Sequence, residues 1–271
     1  MKTQQPQHNM LDDETDNAQY VCMCKQEQQY MADDYLASCP LIDEECRRKM
    51  VAWYYQVVDF CHFDRETVEI CVNFLERFLS SDAVSDDITR NDFQLIAMTS
   101  LYVAIKIHEP IAVDPKTIAG LSGGQFTVED IEACERRLLP GLSWRMNPPT
   151  TMSFVRMHVR DLSLSHYTEQ QVLQLTKTQL ETAIKDYSLM TTVLPSTLAK
   201  AAISNSMSSI GHYRSKLTAT VDAEVADVLA YSLPSPLCSS PTTSSMGPKR
   251  TTLVRYESNG ELSPKCVSAH P

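Results

Sequence analysis

From Leu41 to Glu109 the chain runs 69 residues without a glycine or proline, and its apolar positions recur there with the period of a helix. Met50, Tyr54, Val57, Val58 and Cys61 fall on one face behind Asp43, a good N-cap, which predicts a helix from Asp43 to about Cys61. Asp64 opens a second, whose face is Val68, Cys71, Val72, Leu75 and Leu79. A third starts at the capping pair Thr89 and Asp92 and is apolar on nearly every side from Phe93 to Ile107, so it belongs in the middle of a bundle. Ala97, Ser100 and Ala104 let neighbouring helices approach it closely. Asp114-Pro115 starts a short fourth helix, ended by Gly120 to Gly124. Thr127 and Asp130 cap a fifth, with Ile131, Cys134, Leu138 and Leu142 inward, and Pro140 predicts its end near Leu139.

Asn147-Pro148-Pro149 then breaks the pattern, and a second helical series follows. It comprises Ser153 to Ser163, a helix capped by Thr168 and Gln171 that runs to about Tyr187, a helix opened by Pro195-Ser196, and Asp222 to Leu233 with Val225, Val228 and Leu229. The fold class expected is all-α: two similar bundles, the first of five helices around a buried third. The expected divisions are an acidic leader at 1–42, the first bundle at 43–147, a shortened second at 148–231 and a disordered tail at 232–271. Within the leader, Tyr20, Val21, Met23, Cys24, Tyr30 and Met31 supply enough apolar surface for a short docking helix between Asp16 and Met31.

Composition narrows the function. A length of 271 residues suits two domains, while only 7 glycines leave little material for hairpin turns, which disfavours a β-sandwich or barrel. No Gly-rich phosphate loop occurs, since Gly123-Gly124 has neither dinucleotide nor P-loop spacing around it. Nine cysteines form no CxxC pair and several occupy apolar helical positions, so reduced core thiols are expected. The seven histidines lack metal-site spacing, so neither metal nor cofactor is expected. The apolar runs are too short to span a membrane and the first residues lack a signal-peptide core, which points to the cytoplasm and nucleus. Of the net charge of -10, the middle 191 residues carry -7, which disfavours nucleic acid as a partner.

The order of segments RRKMVAWYYQVVD, VNFLERFLS, DFQLIAMTSLYVAIKIHE and FTVEDIEACERRLLPGLSWRMNPPT resembles the first cyclin box of the cyclin family, over residues 43 to 150. DYSLMTTVLPSTLAKAAI is similar to part of the second box. The resemblance implies a non-catalytic subunit that docks on the mobile Glu-bearing helix of a cyclin-dependent protein kinase and activates it. The basic RRKMV stretch leans toward D-type-like, G1 members, although the LxCxE motif of many such members is missing. Two other roles stay open: a cyclin serving transcription or nutrient signalling, and a cyclin-fold transcription factor that contacts nucleic acid.

Carried over residue by residue, Lys106 and Glu135 match the family's kinase-contacting Lys and Glu. Arg47 and Glu76 match a buried structural ion pair, with Glu76 where an Asp is usual. Met50, Trp53 and Gln94 match a docking patch for short peptides of kinase substrates or inhibitors, although Lys49 stands where that patch is apolar. His108 occupies a position where an acid is common. In the tail, Ser235, Ser240 and Ser263 each precede a proline within a Ser/Pro/Thr-rich segment and are candidate sites for proline-directed phosphorylation.

Overall fold

The computed structural model describes residues 10–85 and 87–211, with the side chains of 10–16 excepted. All its regular elements among these residues are helical. The leader forms α1 (Met10–Glu27), a 3-10 turn (Gln28–Tyr30) and α2 (Tyr35–Ser38). The first bundle comprises α3 (Glu44–Cys61), α4 (Glu66–Leu79), α5 (Arg90–His108), α6 (Pro115–Leu121) and α7 (Val128–Gly141). The second has α8 (Thr151–Asp161), α9 (His166–Ala183), α10 (Tyr187–Thr192) and α11 (Pro195–Ser209). No helix among the described residues is long and apolar enough to cross a membrane.

Caps read from sequence start four helices of the first bundle. Asp43 accepts from the Cys46 N–H at 2.7 Å, and Asp114 accepts from Lys116 at α6. Thr89 with Asp92, and Thr127 with Asp130, form reciprocal capping boxes. α5 lies at the centre, with Phe93, Ala97, Met98, Ser100, Leu101, Ala104 and Ile105 fully buried. α4 and α7 both pack against it. Cys39, Cys46, Cys71 and Cys134 are buried, and Cys22 is exposed.

Several expected boundaries move, each for a local reason. Arg65 holds the N-cap position of α4, and Asp64 reaches one residue further to accept from the Glu66 N–H at 2.9 Å. α7 continues through Pro140 to Gly141, because a proline in the last turn removes only one intrahelical donor. A Cβ at Gly141 would lie 2.6 Å from the Phe78 ring, so this close approach of α7 to α4 requires glycine. In the second bundle α8 begins at Thr151, capped by Thr150. Ser165, not Thr168, caps α9, and Asp186 starts α10 as a separate helix that splits the long one expected to reach Tyr187. The leader helix is longer than expected and begins at Met10. The helix expected at 222–233 lies outside the described residues.

The two bundles and the leader are joined by buried polar groups rather than by apolar surface alone. Arg47, 1% exposed, donates from Nε to Glu76 at 2.6 Å within the first bundle and from Nη1 to the Ile184 carbonyl at 2.9 Å in the second. Burial raises the Glu76 carboxyl, against the pull of Arg47, and Glu76 in turn keeps Arg47 charged against its own burial. Glu69 crosses the same boundary, accepting from both the backbone N–H and the hydroxyl of Thr151 at 2.7 Å, at the start of α8. Arg65 bridges Asp59 and Glu181 while lying 4.4 Å over the Tyr55 ring. From the leader, Glu27 accepts from the Ser196 N–H and hydroxyl at 2.8 and 2.7 Å. That carboxylate caps α11, whose own N-cap residue, Leu194, has no capping side chain.

Two predictions follow from this junction. Arg47→Leu should destabilise the chain by about 3 to 5 kcal/mol in urea unfolding, because it strands Glu76, and Arg47→Leu with Glu76→Leu should regain a large part of that loss. Glu69 is pushed up to about 7 by burial, against its hydrogen bonds from Thr151, with Glu66 adding to the rise and Arg156 opposing it. The folded chain therefore keeps a proton that the unfolded chain releases above its ordinary value of 4.5. This group's contribution is largest below that value and declines as pH rises toward neutrality. Glu69→Gln should gain stability over the parent by up to about 3 kcal/mol between acid and mildly alkaline pH. Parallel pH profiles for parent and variant would contradict it.

Candidate functional site

α5 carries Lys106 in its last turn, and α7 carries Glu135 on the facing side. The two meet at 3.0 Å between Nζ and Oε1. Lys106 is half exposed and Glu135 is 15% exposed, so the pair lies at the rim of the bundle with its cation toward solvent. The hydrogen bond that Lys106 donates to Glu135 raises the ammonium above its ordinary value, and the Tyr102 ring lies 5.4 Å from Nζ. Lys106 also sits at the carbonyl end of α5, where a positive charge is favoured by the helix dipole.

Around this pair the surface is apolar in a way the helical period did not announce. Ile107 is 45% exposed and Ile111, just beyond the end of α5, is 65% exposed. Ile107 departs from the buried phase of α5, and that departure was the available signal. Trp144, in the turn after α7, is 68% exposed. His108 points away from Lys106, with Nε2 2.8 Å from the Met146 carbonyl and its ring 6.3 Å from that of Phe74. Glu109 accepts from the Asp64 N–H at 3.1 Å and from the Thr67 hydroxyl, which ties the end of α5 to the start of α4. α5 and α7 thus present a charged pair with exposed Ile107 beside Lys106, and the turn after α7, which carries the exposed Trp144 indole, is tied to the end of α5 through His108.

The remaining sequence-derived site residues fall elsewhere. Arg47 and Glu76 are the buried pair at the bundle junction. Met50, Trp53 and Gln94 are all buried, at 0%, 3% and 2% exposure. Trp53 packs against Tyr54 with ring centroids 5.7 Å apart. The solvent face of α3 nearby presents Glu45, which pairs with Arg48 and, at 3.6 Å, with Lys49. Ser235, Ser240 and Ser263 lie outside the described residues. Among the described residues no group of three or more His, Cys, Asp or Glu side chains is placed to hold a metal ion.

Sequence reasoning missed the partners that organise this edge from behind. Arg77 of α4 donates to the Leu142 carbonyl at 3.1 Å and to the Arg145 carbonyl at 3.0 Å. Its guanidinium lies 4.6 Å over the leader's Tyr30 ring, and burial lowers its value to about 10. The link from Glu27 to Ser196 was equally hidden, although an α11 start without a side-chain cap was a readable sign that a donor group needed a partner.

Comparison with known proteins matches the chain to two consecutive family models: the cyclin N-terminal domain over residues 18–147 and the cyclin C-terminal domain over residues 149–232. A G2/mitotic-specific cyclin-2 of Antirrhinum majus is 29% identical over 171 residues, covering 63% of this chain and 37% of the relative. A G1/S-specific cyclin-E1 of Gallus gallus is 25% identical over 162 residues, covering 56% and 39%. The chain therefore spans about two fifths of the length of these curated relatives. Among solved structures, a viral cyclin from herpesvirus saimiri superposes with a TM-score of 0.57 at 15% identity, over 70% of this chain and 81% of that one. A chain of the yeast RNA Pol II CTD kinase CTDK-1 complex gives 0.52 at 16% identity, over 78% and 69%. With two adjoining family models spanning most of its length and an all-helical fold of two bundles, the chain belongs to the cyclin family.

Proposed function

We propose that this chain is the non-catalytic regulatory subunit of a cyclin-dependent Ser/Thr protein kinase, which it binds and activates to control progression through the cell cycle, at G1 or the G1/S transition. The single observation that carries this reading is the Lys106–Glu135 pair, 3.0 Å apart at the rim of α5 and α7 and flanked by exposed Ile107 and Ile111. A Lys on a long stem suits the carbonyl end of a kinase helix, and a Glu suits the free N–H groups at the start of one. The exposed aliphatic side chains would bury against the same helix.

Activation on this reading is a population shift. Moving a kinase from about 1:99 active to the reverse needs roughly 5.5 kcal/mol of preference for the active form. A rigid surface supplies such a preference better than a flexible peptide does, because its groups lose little conformational freedom on docking. The buried junction built on Arg47, Glu69 and Glu27 gives the rim this rigidity. The kinase supplies ATP, magnesium and the catalytic groups. The complex acts in the nucleus and cytoplasm, and peptides of substrates or inhibitors reach the Trp53 region only if the side chains covering Met50, Trp53 and Gln94 move. Phosphorylation of Ser235, Ser240 and Ser263 in the tail marks the protein for turnover.

The family also contains members that act in transcription, and the assignment to division leans on the G1/S and mitotic relatives above. Affinity purification from synchronised cells, followed by mass spectrometry, should recover a cyclin-dependent kinase with the parent chain and at least tenfold less with Lys106→Ala plus Glu135→Ala, about 1.4 kcal/mol or more. Equal recovery would overturn the docking surface. Removing residues 232–271 should lengthen cellular half-life; an unchanged half-life in a cycloheximide chase would contradict the turnover role of the tail.

A further inference from the structure

The turn after α7 is held in a conformation its own residues disfavour. α7 ends in a Schellman arrangement, with Trp144 N–H donating to the Leu139 carbonyl at 3.0 Å and Ser143 N–H to the Pro140 carbonyl at 2.8 Å. This motif places one residue at positive φ, usually glycine, yet Ser143 has φ 53° and Trp144 has φ 58°. Two successive left-handed residues that both bear a Cβ persist only where surrounding contacts fix them. Here the second is a tryptophan, 68% exposed.

The contacts that fix the turn come from two other helices and converge on its carbonyl oxygens. Arg77 of α4 donates to Leu142 and Arg145, and His108 of α5 lies 2.8 Å from the carbonyl oxygen of Met146. Arg77 also donates to Asn73 Oδ1 at 3.3 Å, stacks on Tyr30, and so draws on the leader, where Asn73 holds the Tyr30 carbonyl at 2.7 Å. His108 follows Lys106 by two residues at the same helix end, on the opposite side of the helix. The side chain that braces the turn and the side chain that offers the charge thus share one rigid support.

We infer that His108 and Arg77 are positioning residues for kinase docking: they clamp the 142–146 turn through its carbonyl oxygens and hold the Trp144 indole in register with the Lys106–Glu135 edge. This rests on the docking reading proposed above. An acid in place of His108 would have no N–H to give Met146, so the histidine is what permits this clamp. His108→Leu keeps the bulk and loses the ring nitrogen, whereas His108→Gln retains an amide donor.

The test uses the full chain and the cyclin-dependent kinase recovered with it, expressed and purified separately. Affinity is read by calorimetry, and order of the turn by the 15N relaxation of the Trp144 indole, one of two indole signals in the chain. His108→Leu should weaken kinase binding about tenfold, the scale expected for losing one hydrogen bond and the order it imposes. It should also make the Trp144 indole mobile while leaving the Trp53 indole rigid and the melting temperature close to the parent's. His108→Gln should restore both properties to within about threefold. Unchanged affinity in His108→Leu, with Lys106→Ala weakening binding as expected, overturns the inference. A loss of affinity with the indole still rigid overturns it too. If Lys106→Ala binds as the parent does, the docking reading fails and the inference falls with it.

Discussion

Burying one guanidinium sets the terms for the whole molecule. Arg47 sits in the first turn of α3 at 1% exposure, and a lone cation there would be unsustainable. Glu76 neutralises it from α4, and the Ile184 carbonyl accepts its second donor from the other bundle. The Tyr187 ring lies 5.6 Å from the guanidinium carbon, and Tyr35 of the leader packs edge-on against Tyr187 at 5.4 Å. Neutralising this one charge therefore draws on both bundles at once, with the leader packed behind the ring that covers it. A buried ion pair adds little net stability compared with apolar packing, but it penalises every arrangement in which its partners are absent.

The same logic recurs along the junction. Glu69, Glu27 and Arg65 each take a partner from another unit, and in two cases that partner is the start of a helix. Helix starts carry unpaired N–H groups, so a carboxylate from outside is an effective way to join two packed units in a defined register. The cost shows in Glu69, whose carboxyl is raised by the burial that makes the joint. Rigidity at this joint matters for the edge formed by α5 and α7, since a surface that must favour one state of a partner gains from having few states of its own.

Much of the fold was legible in the residues. Thr89 with Asp92 and Thr127 with Asp130 read as capping boxes and are capping boxes, because the interaction is complete within four residues. The all-round apolar run from Phe93 to Ile107 read as a central helix and is one. Local chemistry misled where two signals competed. Pro140 read as a stop although α7 tolerates it in its last turn, and Thr168 read as a cap although Ser165 lies closer to the chain's bend. Of the candidate site, Lys106 and Glu135 were named from a resemblance in motif order. Their 3.0 Å contact and the exposed Ile107, Ile111 and Trp144 beside them came from the packed chain.

The sequence by itself determined the class of fold, the family and the starts of α3, α5, α6, α7 and α11, because periodicity, caps and motif order are written in residues near one another. Only the tertiary structure decided which carboxylate caps α11, which donors hold the turn at Trp144 and which carbonyl receives Arg47. Those partners lie 169, 38 and 137 residues apart for Glu27–Ser196, His108–Met146 and Arg47–Ile184. A buried polar group demands some partner but does not name it from within its own helix, and the identity of that partner is settled only when separate helices come within hydrogen-bond reach.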